Sequence, residues 1–156
     1  MTLRLRSPSF EHETDIPSKH TCEGADVSPP LAWAGVPQGT KSLALIVDDP
    51  DAPDPSAPKT VWVHWVVYGI PADVSALTEG GPLPAGAHEG RNDWKAVGYR
   101  GPCPPIGRHR YFHKLYALDT VLELGQPDKA ALEAAMKGHI LAQGTLIGTY
   151  AKKGAR

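Results

Sequence analysis

VWVHWVVYGIP occupies residues 61–71, and its reading decides the fold class. β-Branched and aromatic residues fit a pleated, half-buried surface. Gly69 and Pro71 end the run, so the stretch predicts a central β-strand. Strand side chains alternate with period two. That places Trp62, His64, Val66 and Tyr68 on one face and Val63, Trp65 and Val67 on the other. His64 then sits among bulky apolar groups, where an unbonded ring nitrogen costs about 1–3 kcal/mol. It needs a partner.

Upstream, SLALIVDDP (residues 42–50) is a continuous apolar run ended by two acids and a proline, the pattern of a buried strand emerging into a loop. Consecutive strands are often neighbours. Asp49 is therefore a candidate partner for His64, and a carboxylate there would fix the imidazole tautomer and raise its pKa. Equally, Asp49 could be a turn former bonding local amides. For Asp51 the turn role is preferred, with a place on a pocket rim as the functional alternative.

DPDAPDPSAPK (residues 49–59) contains four prolines and reads as irregular. LRLRS near the start predicts an edge strand, residues 24–30 a loop and residues 72–97 an irregular stretch. HRYFHKLYALD (109–119) and LAQGTLIGTYA (141–151) predict further strands. The one helix expected is PDKAALEAAMKG, with Pro127 at its first position, Asp128 favouring its N-terminal dipole, Leu132, Ala135 and Met136 on one face, and Gly138 as its stop.

A chain of 156 residues suits one domain, taken as 1–156. Sixteen glycines and sixteen prolines without a period imply many turns between short strands, hence a β-rich fold. The formal net charge is −1 with no basic run, which argues against a nucleic-acid partner. No stretch has the length of a membrane span or the apolar segment of a signal peptide, so a cytoplasmic protein is expected. Only Cys22 and Cys103 are present, in unrelated contexts; a disulfide scaffold or zinc cluster is not indicated, and pairing between the two stays open.

GYRGPCPPIGRHRY (residues 98–111) ends on His109 and Tyr111. If a strand begins after Gly107, these two point the same way, roughly 7 Å apart at their bases, and could hold one small ligand. His113 continues that face but lies roughly 13 Å from His109, so a packed or partly exposed histidine is expected there. Two enzyme or cofactor alternatives follow from residue types alone. Asp49, His64 and His109 have ligand chemistry acceptable to zinc, but no compact ligand motif supports it, and no cofactor is assigned. Cys103 near His109 could make a Cys/His hydrolase; a small buried apolar cysteine is the preferred reading.

DDPDAP, WVHWVVYGIP and GYRGPCPPIGRHRY occur in an order and separation that resemble the phosphatidylethanolamine-binding protein family, also called Raf kinase inhibitor-like proteins. CEGADVSPPLAW, GRNDW, LYALD and GHILAQGTLIGTY look like its bacterial and archaeal branch, and the likeness runs from about Ser7 to Tyr150. The resemblance implies a mainly β fold, a Greek-key antiparallel β-sandwich with one short helix near the C-terminus. It also implies a small anion pocket built by Asp49, His64, His109 and Tyr111, with Gly101 and Pro102 shaping the wall and Trp62 and Asp51 as rim candidates.

On this reading Asp49 orients and charges His64, while both histidines and Tyr111 donate to a phosphate-type anion or phosphorylated head group. Prolines would fix the loop and glycines would bring backbone N–H groups close to the anion. A non-enzymatic binding protein is expected, forming a homodimer. The alternative is a protein-binding inhibitor of a kinase or protease. The sequence departs from its relatives in the short segment Ile106–Gly107–Arg108, which implies a more open mouth, and in His113, where relatives usually carry an aromatic.

Overall fold

The computed structural model describes residues 3–153; the remaining termini of the 1–156 reading lie outside it. Two sheets face each other. The larger has the order β2-β9-β8-β4-β5-β7, built from β2 (Thr14–Asp15), β9 (Ile140–Tyr150), β8 (His109–Leu118), β4 (Ser42–Ala52), β5 (Thr60–Pro71) and β7 (His88–Glu89). The smaller is β1 (Arg4–Arg6), β3 (Leu31–Ala34) and β6 (Ala76–Leu77), with β1 at its edge as its alternating sequence predicts. The fold is mainly β, a sandwich with one helix, α1 (Lys129–Met136). All named pairings are antiparallel except β2 with β9, which is parallel.

Leu43, Leu45 and Val47 of β4, Trp65 and Val67 of β5 and Leu115 and Ala117 of β8 turn inward. They meet Leu5, Leu31, Trp33 and Leu77 of the small sheet in the main core. The opposite face of the large sheet carries Ala44, Ile46, Val66, Tyr68 and Leu118, covered by Leu132 and Met136 of α1. Asp128 caps the helix, its side chain accepting from the Ala131 N–H at 2.9 Å. Pro127, expected at the first helical position, instead precedes the cap, and its carbonyl accepts from Arg91 N at 2.8 Å.

Two sequence expectations fail here for instructive reasons. The proline-rich stretch 49–59 is not wholly irregular: β4 runs on to Ala52, which pairs with Thr60, because Pro50 needs no ladder donor where the pairing is already interrupted. The period-two reading of β5 also breaks. Val47 pairs with Trp65 and the next residue, Asp48, pairs with Val63, so His64 is one residue more than the ladder requires. This β-bulge turns His64 and Trp62 to the same side as Trp65, while Val63 and Val66 share the helix-covered side.

Segment 99–103 is zipped to segment 20–26. The Tyr99 hydroxyl donates to His20 O at 2.7 Å, Gly101 N to Asp26 Oδ1 at 2.9 Å and Cys22 N to Pro102 O at 3.1 Å. A Cys22–Cys103 disulfide closes the seam. Both cysteines lie at exposed positions, correcting the expectation of a buried free Cys103. His20, unnoticed in the sequence, is fully buried and holds the seam from within, one ring nitrogen 3.0 Å from Val27 O and the other 2.8 Å from Ser9 Oγ. Among the described residues no helix is long and apolar enough to cross a membrane.

Candidate functional site

At the end of the sandwich where β4 leaves the sheet and β5 and β8 enter it, a cavity of about 400 Å³ opens. Asp49, His64, His109 and Tyr111 all line it, together with Trp62, Trp94, Pro53, Pro104 and Pro105. The four predicted polar residues come from three strands far apart in the chain and meet around one space. Most of the wall is apolar.

The pairing among them differs from expectation. Asp49 does not bond His64. Its Oδ2 lies 2.6 Å from Nδ1 of His109, and its Oδ1 accepts from Asp51 N at 2.7 Å, so Asp49 is both the histidine partner and the local turn former. His109 Nε2 lies 2.8 Å from Ile106 O. A carbonyl can only accept, so Nε2 carries a proton and a second proton is shared between Nδ1 and the Asp49 carboxyl. The pair has no net charge while it holds that proton. Burial raises the Asp49 pKa against the opposing hydrogen bonds from His109 and Asp51.

His64 instead donates Nδ1–H to Arg100 O at 2.7 Å. Its Nε2 has no hydrogen-bonding partner among the described residues, and the ring edge meets Tyr111 and Trp94 at centroid distances of 5.2 and 5.1 Å. Burial lowers its pKa to about 4, overturning the expected upward shift from Asp49. His64 is a neutral imidazole whose bare Nε2 accepts hydrogen bonds. The Tyr111 hydroxyl is buried and has no hydrogen-bond partner among the described residues. Desolvation, then the nearby Asp49, raises its pKa, so it remains a protonated donor.

Other expected residues lie elsewhere. Gly101 and Pro102 do not line the cavity, whose wall is built by Cys103, Pro104 and Pro105. Gly101 is a glycine because a Cβ would stand 1.9 Å from His20 O, and its N–H is committed to Asp26, not to a ligand. Asp51 is neither turn former nor rim: its carboxylate takes Arg110 Nε and Nη2 at 2.9 and 2.8 Å, which lowers its pKa. His113 is fully buried, with Nδ1 3.1 Å from Tyr111 O and its ring 5.6 Å from Phe10.

The sequence reading missed Trp94. Asn92 shapes its loop, with Oδ1 accepting from Trp94 N and Ala96 N and Nδ2 donating to Gly98 O. Trp94 then stands edge-on to Trp62 at 5.5 Å and closes one side of the cavity. Asn-Asp followed by Trp between glycines was the available signal, an Asx turn carrying one large aromatic.

The rival chemistries lose their groups in this geometry. Both Asp49 oxygens and both His109 nitrogens are engaged within the protein, and no cluster of three metal-ligating side chains occurs among the described residues. Cys103 is tied to Cys22, which removes the thiol of the Cys/His hydrolase.

The family model described as phosphatidylethanolamine-binding protein matches residues 6–151. A UPF0098 protein of Methanothermobacter thermautotrophicus is 51% identical over 154 residues, covering 95% of this chain and 98% of that one. The crystal structure of a putative phosphatidylethanolamine-binding protein homologue, CT736 of Chlamydia trachomatis, superposes with a TM-score of 0.91 at 42% identity, covering 97% of this chain and 99% of that one. E. coli YbcL, described as a new member of the mammalian family, gives a TM-score of 0.87 at 34% identity, covering 98% of this chain and all of the other. The chain therefore belongs to the phosphatidylethanolamine-binding protein family.

Proposed function

We propose that this protein binds a small phosphate-type anion or phosphorylated group in the cavity and performs no chemistry on it. The observation that carries this reading is the Tyr111 hydroxyl, buried and unpaired in a cavity that His64 also lines. An unpaired buried hydroxyl costs about 1–3 kcal/mol, a cost that a bound oxygen would remove. His109 is not a donor to the ligand, as the sequence implied, because Ile106 O and Asp49 hold both its nitrogens. It is a support that holds Asp49 in the wall that Tyr111 shares.

No thiol is free among the described residues, and in the Asp49–His109 pair the second ring nitrogen turns to a backbone carbonyl and not to a nucleophile. The cytoplasmic expectation rested on the lack of a signal-peptide segment and of a membrane span. A Cys22–Cys103 bond fits an oxidising compartment better.

The test is an NMR titration of histidine ring signals with inorganic phosphate, phosphoethanolamine and neutral ethanolamine. Shifts centred on His64 with the two phosphates, and none with ethanolamine, are expected. Shifts centred on His113 or His139 would move the site elsewhere.

A further inference from the structure

The cavity is oddly equipped for an anion. Its fully buried donor without a partner among the described residues is the Tyr111 hydroxyl, and the second ring nitrogen of His64, Nε2, offers a lone pair beside it. The tautomer is fixed by structure, since Arg100 O can only accept from Nδ1. A fully ionised phosphate oxygen set against that lone pair would be repelled. A phosphate that keeps one O–H would not.

Most charged groups around the cavity are engaged within the protein, Asp51 and Arg110 with each other. From β4, Asp49 forms the neutral pair with His109, and Asp48 points away to Lys114 and Lys129 at 3.1 and 2.8 Å. From β8, His109 is committed, Tyr111 is neutral and His113 is bonded to the carbonyls of Tyr111 and Leu146. From the loop, the Arg100 guanidinium lies over the Trp94 ring, 5.5 Å from its centroid.

Building on the phosphate-type reading above, we propose that the cavity selects a phosphate monoester as its singly protonated monoanion: the P–O–H donates to His64 Nε2, another oxygen accepts from the Tyr111 hydroxyl, and an apolar or aromatic substituent lies against Trp62 and Trp94. The ligand brings its own proton. Burial holds the His64 pKa near 4, below the second ionisation of a phosphate monoester at about 6, so the proton stays on the ester. Phosphodiesters, including the intact head group of a phospholipid, have no such proton and are disfavoured. The shared phosphate chemistry thus divides by source.

The experiment is calorimetric titration of the wild-type protein between pH 6 and 8, in two buffers of different ionisation enthalpy. The ligands are phenyl phosphate, phenyl sulfate and glycerophosphoethanolamine. For phenyl phosphate, affinity is expected to fall roughly fifty-fold from pH 6 to pH 8, with about one proton taken up per ester bound at pH 8. Phenyl sulfate and glycerophosphoethanolamine are expected to bind at least tenfold more weakly at pH 6, without pH dependence. Sulfate binding as tight as phosphate with proton uptake would put the proton on His64 and overturn the proposal. So would diester binding that matches the monoester, or phosphate binding that ignores pH; in these cases the phosphate-type reading survives. Failure of every ester to bind at either pH would sink both.

Discussion

Asp49 reaches to the adjacent strand β8 and Nδ1 of His109 at 2.6 Å, and leaves His64, its nearer neighbour in sequence, to a backbone carbonyl. The register explains the choice. Asp49 stands opposite Trp62, and the bulge sets His64 one residue further along and rotated inward, closer to the carbonyl of Arg100 than to the carboxyl. The consequence is a division of labour between the histidines: His109 is structural, and His64 keeps a nitrogen for the cavity.

Removing one partner of a buried pair is costly because the other is left uncompensated. Asp49→Ala should therefore lower unfolding free energy by about 3–5 kcal/mol, and Asp49→Asn by less, because an amide can still bond His109 Nδ1. Urea denaturation of both variants checks this. A loss below 1 kcal/mol for the alanine variant would show that the pair holds nothing in place.

His64 and His113 have pKa values lowered to about 4 by burial, and burial lowers that of His20 as well. In the unfolded chain each lies near 6.5. Between those values the unfolded state binds protons that the folded state refuses. Stability is then full above pH 6.5 and declines as pH falls towards 4, on the order of 1 kcal/mol per pH unit for each of His64 and His113, with His20 acting in the same direction. Asp49, with its raised pKa, opposes the trend, but it is one group against three. A melting temperature unchanged from pH 7 to pH 4.5 would contradict this account.

Gly101→Ala should destabilise strongly. The added carbon would lie 1.9 Å from His20 O and 2.6 Å from Asp26 Oδ1, and the first of these is backbone that cannot swing aside. Overpacking of this kind costs about 1–3 kcal/mol or more. Thermal unfolding, with ligand titration on the surviving fold, should show both a lower melting temperature and weaker binding, since residues 103–105 follow directly.

The disulfide closes a loop of 81 residues and anchors the cavity wall at Cys103. Replacing both cysteines by serine should cost about 2–5 kcal/mol and weaken phosphate binding, measured by denaturation and calorimetry. Equal affinity in the two proteins would mean that the hydrogen bonds along the seam suffice to hold the wall.

Tyr111→Phe should part stability from binding. Deleting an unpaired buried hydroxyl leaves the ligand-free fold as stable as before or better by up to about 1–3 kcal/mol, while phosphate affinity drops at least tenfold. A variant that loses stability would show that the hydroxyl is already satisfied inside the protein.

The strands were legible because their signal is local: apolar runs bounded by Gly and Pro marked β4, β5, β8 and β9, and the Pro127–Asp128 start, the apolar face and the Gly138 stop marked α1, two residues early at its start. Asp49, His64, His109 and Tyr111 were brought together as the resemblance implied. Hydrogen-bond partners were not legible, since a one-residue bulge is invisible to periodicity and decides which nitrogen faces which oxygen. Gly101 likewise looks like a ligand-contacting glycine until the His20 backbone beside it is known. Trp94 sat in a stretch read as irregular, where aromatic residues carry no periodic label.

At residue 64 the sandwich contains one amino acid more than its pleating needs. Excising that single codon would join Val63 directly to Trp65, restore alternation from Val63 to Tyr68 and leave each neighbour on the side it already occupies. If His64 receives the proposed ligand, one in-frame deletion separates architecture from recognition, and a descendant of this chain could lose the second while keeping its shape.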